Sequence, residues 1–194
     1  MIPQIPNERV PEVEVDAIFT DRWSPRAFSD EPLSEEQIAT LFEAARWAPS
    51  CFNDQPWHFR YAVSSDDRAR FSEALVEKNQ QWAQHAPMLV FVLARKHFSK
   101  SEKPNRHAVF DAGAAWMSLA LQARRLGLYA HGMAGFSVNK AAEVLNVSLD
   151  EYEIMAAVAV GRRDDPSKLS DDQRANEKPN GRKPSAEVAG EGSF

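Results

Sequence analysis

The chain has 194 residues, 43% of them hydrophobic and 26% charged, a balance that suits one domain with a sizeable core. Its formal net charge of -5 argues against a nucleic-acid surface, which needs Lys and Arg clustered in excess, so any anion site has to be local. One cysteine, Cys51, excludes an intrachain disulfide and any multi-cysteine zinc or iron–sulfur centre, and it points to a reducing cytoplasm.

Residues 1–6, Met-Ile-Pro-Gln-Ile-Pro, hold no basic region or long apolar run, so no signal peptide is expected. The longest low-charge segment, 110–123, is interrupted by Asp111 and falls short of the roughly 20 apolar residues of a bilayer span. Residues 13–19 read as a short helix ending at Thr20 and Asp21. Arg22, Trp23, Ser24, Pro25 and Arg26 follow. In an extended segment alternate side chains share a face, so Arg22, Ser24 and Arg26 could point the same way. Guanidinium forks match phosphate oxygens or a flavin-like N–C=O edge, and Ser24 adds a neutral donor. A solvated basic turn is the equal alternative on this stretch alone.

Ser34 and Gln37 form a capping box, and Ile38, Leu41, Phe42 and Ala45 follow at helical spacing, predicting a helix over 35–48. It stops at Pro49. Between Pro49 and Pro56 neither helix nor sheet can run, so Ser50, Cys51, Phe52, Asn53, Asp54 and Gln55 make a shaped loop. Hydroxyl and amide groups beside Phe52 and Trp57 suit a pocket for a planar polar ligand, although a polar helix-to-strand connection is the plainer reading.

Trp57, Phe59, Tyr61 and Val63 alternate as one face of a strand, and Ser64 to Asp67 cap a helix over about 66–80, with 80–85 as its candidate extension. The continuous apolar run 88–94 reads as a buried central strand. Residues 96–106 read as a mobile polar excursion. The helix expected over 108–126 is apolar around nearly its whole circumference and so should be buried all round. One sheet covers one side of it, which leaves the other side for a second subunit and predicts a homodimer. A strand from 127 runs into a small-residue loop ending at Gly135, a short helix follows to Leu145, and 153–161 forms the last strand. From Arg162 to 194 the chain becomes a polar tail, either disordered or laid over another surface. Helices interleaved with about four strands predict a single α+β domain over 1–194, its helices flanking a central mixed, largely antiparallel sheet.

The histidines at 58, 85, 97, 107 and 131 have no metal-binding spacing and read as structural or solvated. Cys51 could act as a nucleophile with His58 or His131 as base, but a lone loop cysteine is more often a small packed hydrophobe. No glycine-rich nucleotide motif follows a strand. The small residues from Gly132 to Gly135 could let a backbone approach a flat ring.

Arg22-x-Ser24-x-Arg26, the helix running into Pro49-Ser50-x-x-Asn53-x-Gln55-Pro56-Trp57, the all-round apolar helix and Gly135-Phe136, in this order, resemble the nitroreductase family of FMN-dependent oxidoreductases from about residue 15 to residue 188. The resemblance implies an α+β homodimer with two FMN sites at its interface. It implies Arg22 and Ser24, with Trp23 between them, at the phosphate and ribityl end, and Arg26 at the pyrimidine N1/O2 edge. Pro49, Ser50 and Asn53 would come from the partner subunit, with Cys51 where the family usually has a second serine. Ala134 and Gly135 would bring backbone amides near the flavin N5, and Arg182 would return to the phosphate. The implied activity is ping-pong transfer from NAD(P)H to a small acceptor such as a nitroaromatic, quinone or enal. The flavin would supply the chemistry, with Arg26 as electrostatic support and no separate acid–base pair. A flavin-consuming or dehalogenating enzyme on the same scaffold, and a flavin-binding module without turnover, remain alternatives. The chain is short at 96–106 and at its end compared with many members, so substrate identity transfers least.

Overall fold

The computed structural model describes residues 6–193; the first five residues, read above for a signal sequence, lie outside them. Two strands carry the longest apolar runs and take the centre of a four-stranded sheet: β2 (Met88–Arg95) and β4 (Tyr152–Gly161). β1 (Trp57–Ala62) pairs with the outer side of β2, and β3 (Tyr129–Met133) with the outer side of β4, giving the order β1-β2-β4-β3. Met88 stands opposite Val160 across the centre, with a bulge between Val92 and Leu93. Every strand pair among the described residues is antiparallel, so the sheet expected to be mixed is not. No two neighbouring strands are parallel; the helix Ala108–Arg125 carries the chain from β2 past β4 to β3, which runs in the same direction as β2 but does not pair with it.

Side chains of β2 alternate between two cores. Met88, Val90, Val92 and Ala94 pack with Ile38, Leu41 and Ala45 of α2 (Glu35–Arg46) and with Ala112, Ala115 and Leu119 of α5 (Ala108–Arg125). Leu89, Phe91 and Leu93 face the other way, toward Phe71 of α3 (Ser65–Ser72), Trp82 of α4 (Glu77–Ala83) and Ala141 of α6 (Val138–Leu145). Covered on both faces, the strand has no polar side to present, which is why its sequence shows no alternation.

Several expectations are corrected. The first helix, α1, spans only Ala17–Asp21. The Asp16 carboxylate accepts from the Ile18 amide at 2.9 Å and starts it there, while the β-branched Val13 and Val15 remain exposed with no face to pack on. The single helix expected over 66–80 is two, α3 and α4. Between them Leu75 forms an antiparallel bridge with Phe136, the Val76 amide donates to the Gly135 carbonyl at 3.0 Å, and the Ser137 amide to that of Ala74 at 2.8 Å. These bonds take the place of helical ones. The 96–106 segment is closed by a bridge between His97 and Pro104 and by the Phe98 amide donating to the Lys103 carbonyl at 2.9 Å.

Within one chain the helix α5 is buried along one side, the side that the sheet and α2 cover. Ala108, Asp111, Ala112, Ala115, Leu119, Ala120 and Ala123 are buried, whereas Val109, Phe110, Gly113 and Met117 on the opposite side are exposed, Phe110 by 79%. The tail, read as either disordered or laid over another surface, lies over the domain. It forms a capped helix α7 (Asp171–Ala175) and short 3-10 turns at Pro166–Lys168 and Ser185–Glu187, with Leu169, Gln173 and Glu177 buried.

At the end of β4 an added Cβ on Gly161 would sit 2.5 Å from Pro87 Cδ and 3.2 Å from Phe28 Cδ1. Gly161→Ala should therefore overpack this corner and destabilise the fold by about 1–3 kcal/mol. The check is a lowered denaturant midpoint at unchanged slope.

Candidate functional site

Over 22–27, which bends at Arg26, the alternation is complete: Trp23, Pro25 and Ala27 are buried, while Arg22, Ser24 and Arg26 are half-buried. It is pinned from several sides. Phe28 bridges to Arg163, the Asp164 amide donates to the Ala27 carbonyl at 2.9 Å, and the Trp23 ring meets Tyr129 edge-on at 5.8 Å. Glu177, from the tail, is 4% exposed; its carboxylate accepts from the Arg26 amide at 2.9 Å and from the Ala27 amide at 3.0 Å. Burial raises the pKa of Glu177, against the pull of those two amides and of the Arg26 and Arg163 charges.

So held, Arg22, Trp23, Ser24 and Arg26 form one wall of a cavity of about 340 Å³, and Arg182 of the tail forms part of another. Arg9 joins them, its Nε donating to the Asn180 carbonyl at 2.7 Å and its Nη1 to the carbonyls of Thr20 and Arg22 at 2.9 and 2.7 Å. Lys78 also lines the cavity, paired with Asp172 at 3.0 Å. Arg22, Arg26 and Arg182 form no ion pair with a carboxylate among the described residues. Burial, and then the nearby Arg182, lower the pKa of Arg22; burial, Arg182 and Arg22 lower that of Arg9. A chain of net charge -5 has thus gathered like charges into one half-buried space, an arrangement that an anion with several oxygens would relieve.

His131 on β3 closes the cavity from the sheet side. Its Nδ1 lies 2.8 Å from the Pro25 carbonyl, and its ring rests on Trp82 with 4.6 Å between centroids. Burial lowers its pKa to about 4; the bond to Pro25 opposes this, and Arg26 and Arg22 add to it. Beyond β3, Ala134 is exposed. The Gly135 carbonyl accepts from the Val76 amide and Asn79 Nδ2, both at 3.0 Å. A Cβ at Gly135 would come within 2.7 Å of that Nδ2 and 2.9 Å of Val76 Cγ2, so a larger residue would have to push both side chains aside. Neither Ala134 nor Gly135 lines the cavity.

Pro49, Ser50, Cys51 and Asn53 stand apart from it. Their loop is rigidly built: the Cys51 amide donates to Asp111 Oδ2 and the Gln55 amide to Ser50 Oγ, both at 3.0 Å, and Asp54 takes Arg95 at 3.0 Å and the Ser99 amide at 2.9 Å. Phe52, Asn53 and Gln55 adopt φ of 54°, 56° and 50°, a conformation that disfavours large side chains, and Phe52 is left 89% exposed. Cys51 has no hydrogen bond from His58 or His131, whose Nδ1 atoms face the Pro56 and Pro25 carbonyls. No group of three or more potential metal ligands occurs among the described residues. The sequence does not mark Arg9 or Lys78 as site residues, and it offers His131 only as a candidate base for Cys51. Arg9 sits in a proline-rich lead with no motif around it, and His131 has no partner spacing.

A folded His131 titrating near pH 4, against 6.5 when unfolded, leaves the extra proton on the unfolded chain between those values. Its contribution to stability is whole above pH 6.5 and is lost as the pH falls toward 4, by roughly 3 kcal/mol. Wild type should lose that much more stability than His131→Phe between pH 7 and pH 4 in denaturant titrations. A difference that does not change with pH would show that the ring is not held neutral.

The model of the nitroreductase family matches residues 19–81 and 74–162. A crystal structure of an FMN-containing oxidoreductase is 46% identical, covers 99% of this chain and 98% of its own, and superposes with a TM-score of 0.93. An FMN complex from Exiguobacterium sibiricum 255-15 is 19% identical over 92% of this chain and 97% of its own, with a TM-score of 0.73. The enone reductase CLA-ER is 20% identical over 76% and 87%, with a TM-score of 0.65; these two share the fold. An uncharacterised 15.4 kDa protein of Mycolicibacterium smegmatis is 35% identical over 81 residues, which are 42% of this chain and 54% of that protein, so the chain spans about half the length of this relative. On the family match and the near-complete likeness to an FMN-containing oxidoreductase, the chain belongs to the nitroreductase family.

Proposed function

We propose that the protein is an FMN-dependent oxidoreductase that acts as a cytoplasmic homodimer, drawing on NAD(P)H and reducing a small acceptor such as a nitroaromatic, quinone or enal. The observation that carries this reading is the set of guanidiniums, Arg22, Arg26 and Arg182, gathered in one cavity with no ion pair to a carboxylate among the described residues. The cavity of about 340 Å³ falls at the small end of ligand pockets, which suits a site that a second subunit completes. Likeness to an FMN-containing oxidoreductase at 46% identity supports the cofactor, and the shared fold of an enone reductase is consistent with the acceptor class.

When bound, FMN would supply the two-electron chemistry that links reductant and acceptor. Arg22 and Arg182 hold the phosphate by charge-assisted bonds, with Ser24 as a neutral donor and Trp23 as the buried floor. Arg26, fixed through its own amide by Glu177, faces the N1/O2 edge, where a cation favours the charge that develops on reduction. Ala134 and Gly135 present backbone near N5, where a Cβ on Gly135 would crowd Asn79 and Val76. Pro49, Ser50, Cys51 and Asn53, too far round the chain to line its own cavity, serve the partner's site. The exposed Val109, Phe110, Gly113 and Met117 of α5 give the two copies an apolar face to share.

Purified protein should therefore show a bound-flavin absorption spectrum that NADH or NADPH bleaches without oxygen and a quinone restores. Protein that takes up no FMN, or FMN that neither nucleotide bleaches, would overturn the reading. Met117→Glu should place an unpaired charge in the shared face and shift the protein to monomer in light scattering, with loss of FMN. A wild-type monomer that binds FMN stoichiometrically would sink the shared site.

A further inference from the structure

Guanidiniums of Arg9, Arg22, Arg26 and Arg182 dominate the cavity wall, and the carboxylate of Asp172 there is taken by Lys78. His131 adds a neutral ring held in one orientation. Its Nδ1 faces a carbonyl 2.8 Å away, an atom that can only accept, so Nδ1 carries the proton. A neutral imidazole has only that one proton, which leaves Nε2 as a lone pair. Nε2 has no hydrogen-bond partner among the described residues and is not sealed in, because the half-buried ring forms part of the cavity wall. The Pro25 carbonyl and the Trp82 ring beneath it fix how the imidazole is turned. A fixed acceptor opening into a half-buried space calls for a donor on whatever fills that space. Phosphate oxygens and ring carbonyls cannot meet it; a hydroxyl of the linker can, and so can the N3–H of the ring, which a flavin lacking the chain still carries. His131 lines the same cavity as Arg22 and Arg26, and the carbonyl that holds its Nδ1 belongs to Pro25, which lies between them in the chain, so the ring stands where a linker joining a phosphate to a ring could pass.

We propose that His131 is a positioning residue of this site, whose Nε2 accepts a hydrogen bond from a hydroxyl of the ribityl chain linking the phosphate and the ring of FMN. The inference rests on the FMN reading above and goes beyond it by assigning the chain, rather than either end, its own contact. It makes the site selective for a hydroxylated linker, since a ligand without the hydroxyl leaves Nε2 unpaired.

The test compares binding of FMN, riboflavin and lumiflavin, which lacks the chain, to flavin-free protein by flavin fluorescence. His131→Phe should weaken FMN and riboflavin by the same factor, about tenfold, and leave lumiflavin unchanged. His131→Gln, whose amide oxygen accepts, should recover most of that loss. Arg22→Ala, acting at the phosphate, should weaken FMN alone. Equal weakening of lumiflavin would move the contact to the ring and overturn the proposal, as would unchanged FMN and riboflavin affinities in His131→Phe. Wild-type protein that binds no flavin would overturn the cofactor reading itself. A second measurement needs no variant: the ¹⁵N resonance of His131 Nε2 in wild type should be that of an unprotonated nitrogen and should move on adding riboflavin but not inorganic phosphate. A resonance unmoved by riboflavin would also overturn the proposal.

Discussion

The site depends on one buried carboxylate. Glu177 accepts from two consecutive amides, those of Arg26 and Ala27, and in doing so lays the tail against the 22–27 segment. Taking an ionised group out of water is unfavourable on its own, and the raised pKa of Glu177 records that. What compensates is the surrounding positive charge, with Arg26 and Arg163 near the carboxylate and its lone pairs taken by amides. The same docking sets Arg182 opposite Arg22. A positive cavity in a chain of negative net charge is thus assembled around a negative group that faces away from it, toward the backbone.

What could be read from the sequence is what depends on local period and local chemistry. The capping box at Ser34 and Gln37 fixes where α2 begins, and it forms as written. The unbroken apolar run of β2 corresponds to a strand covered on both faces. Arg22, Ser24 and Arg26 share a face because strand period is two, and that holds whether or not the segment joins the main sheet.

What could not be read depends on partners distant in sequence. Nothing near Leu75 says that it will bridge to Phe136 and break a helix. Composition leaves the tail either disordered or laid over another surface; Gln173 and Glu177 are buried because their polar groups find specific donors and acceptors across the fold. The loop after α2 turns through positive φ at Phe52 and Asn53 without a glycine to announce it; Asp54, Arg95 and Asp111 supply the bonds that hold it there. His131 looked like any core histidine because its role lies in one ring nitrogen, and which nitrogen is free is decided by a carbonyl 106 positions away.

The bond from Arg9 to the Asn180 carbonyl spans 171 positions, nearly the whole chain, whereas the central sheet is closed by contacts between strands that follow one another or nearly so. Contacts that enclose long stretches of chain bear the greatest loop-closure entropy and form late. The two ends should then be the last parts to settle and the first to lift, with the sheet intact beneath them. In hydrogen exchange such a molecule would show two populations of amides: slow ones in β2 and β4, limited by global unfolding, and faster ones at Arg26 and Ala27, released whenever the tail lets go. Anything that holds Arg22 and Arg182 together would slow the second population while leaving the first set by the sheet.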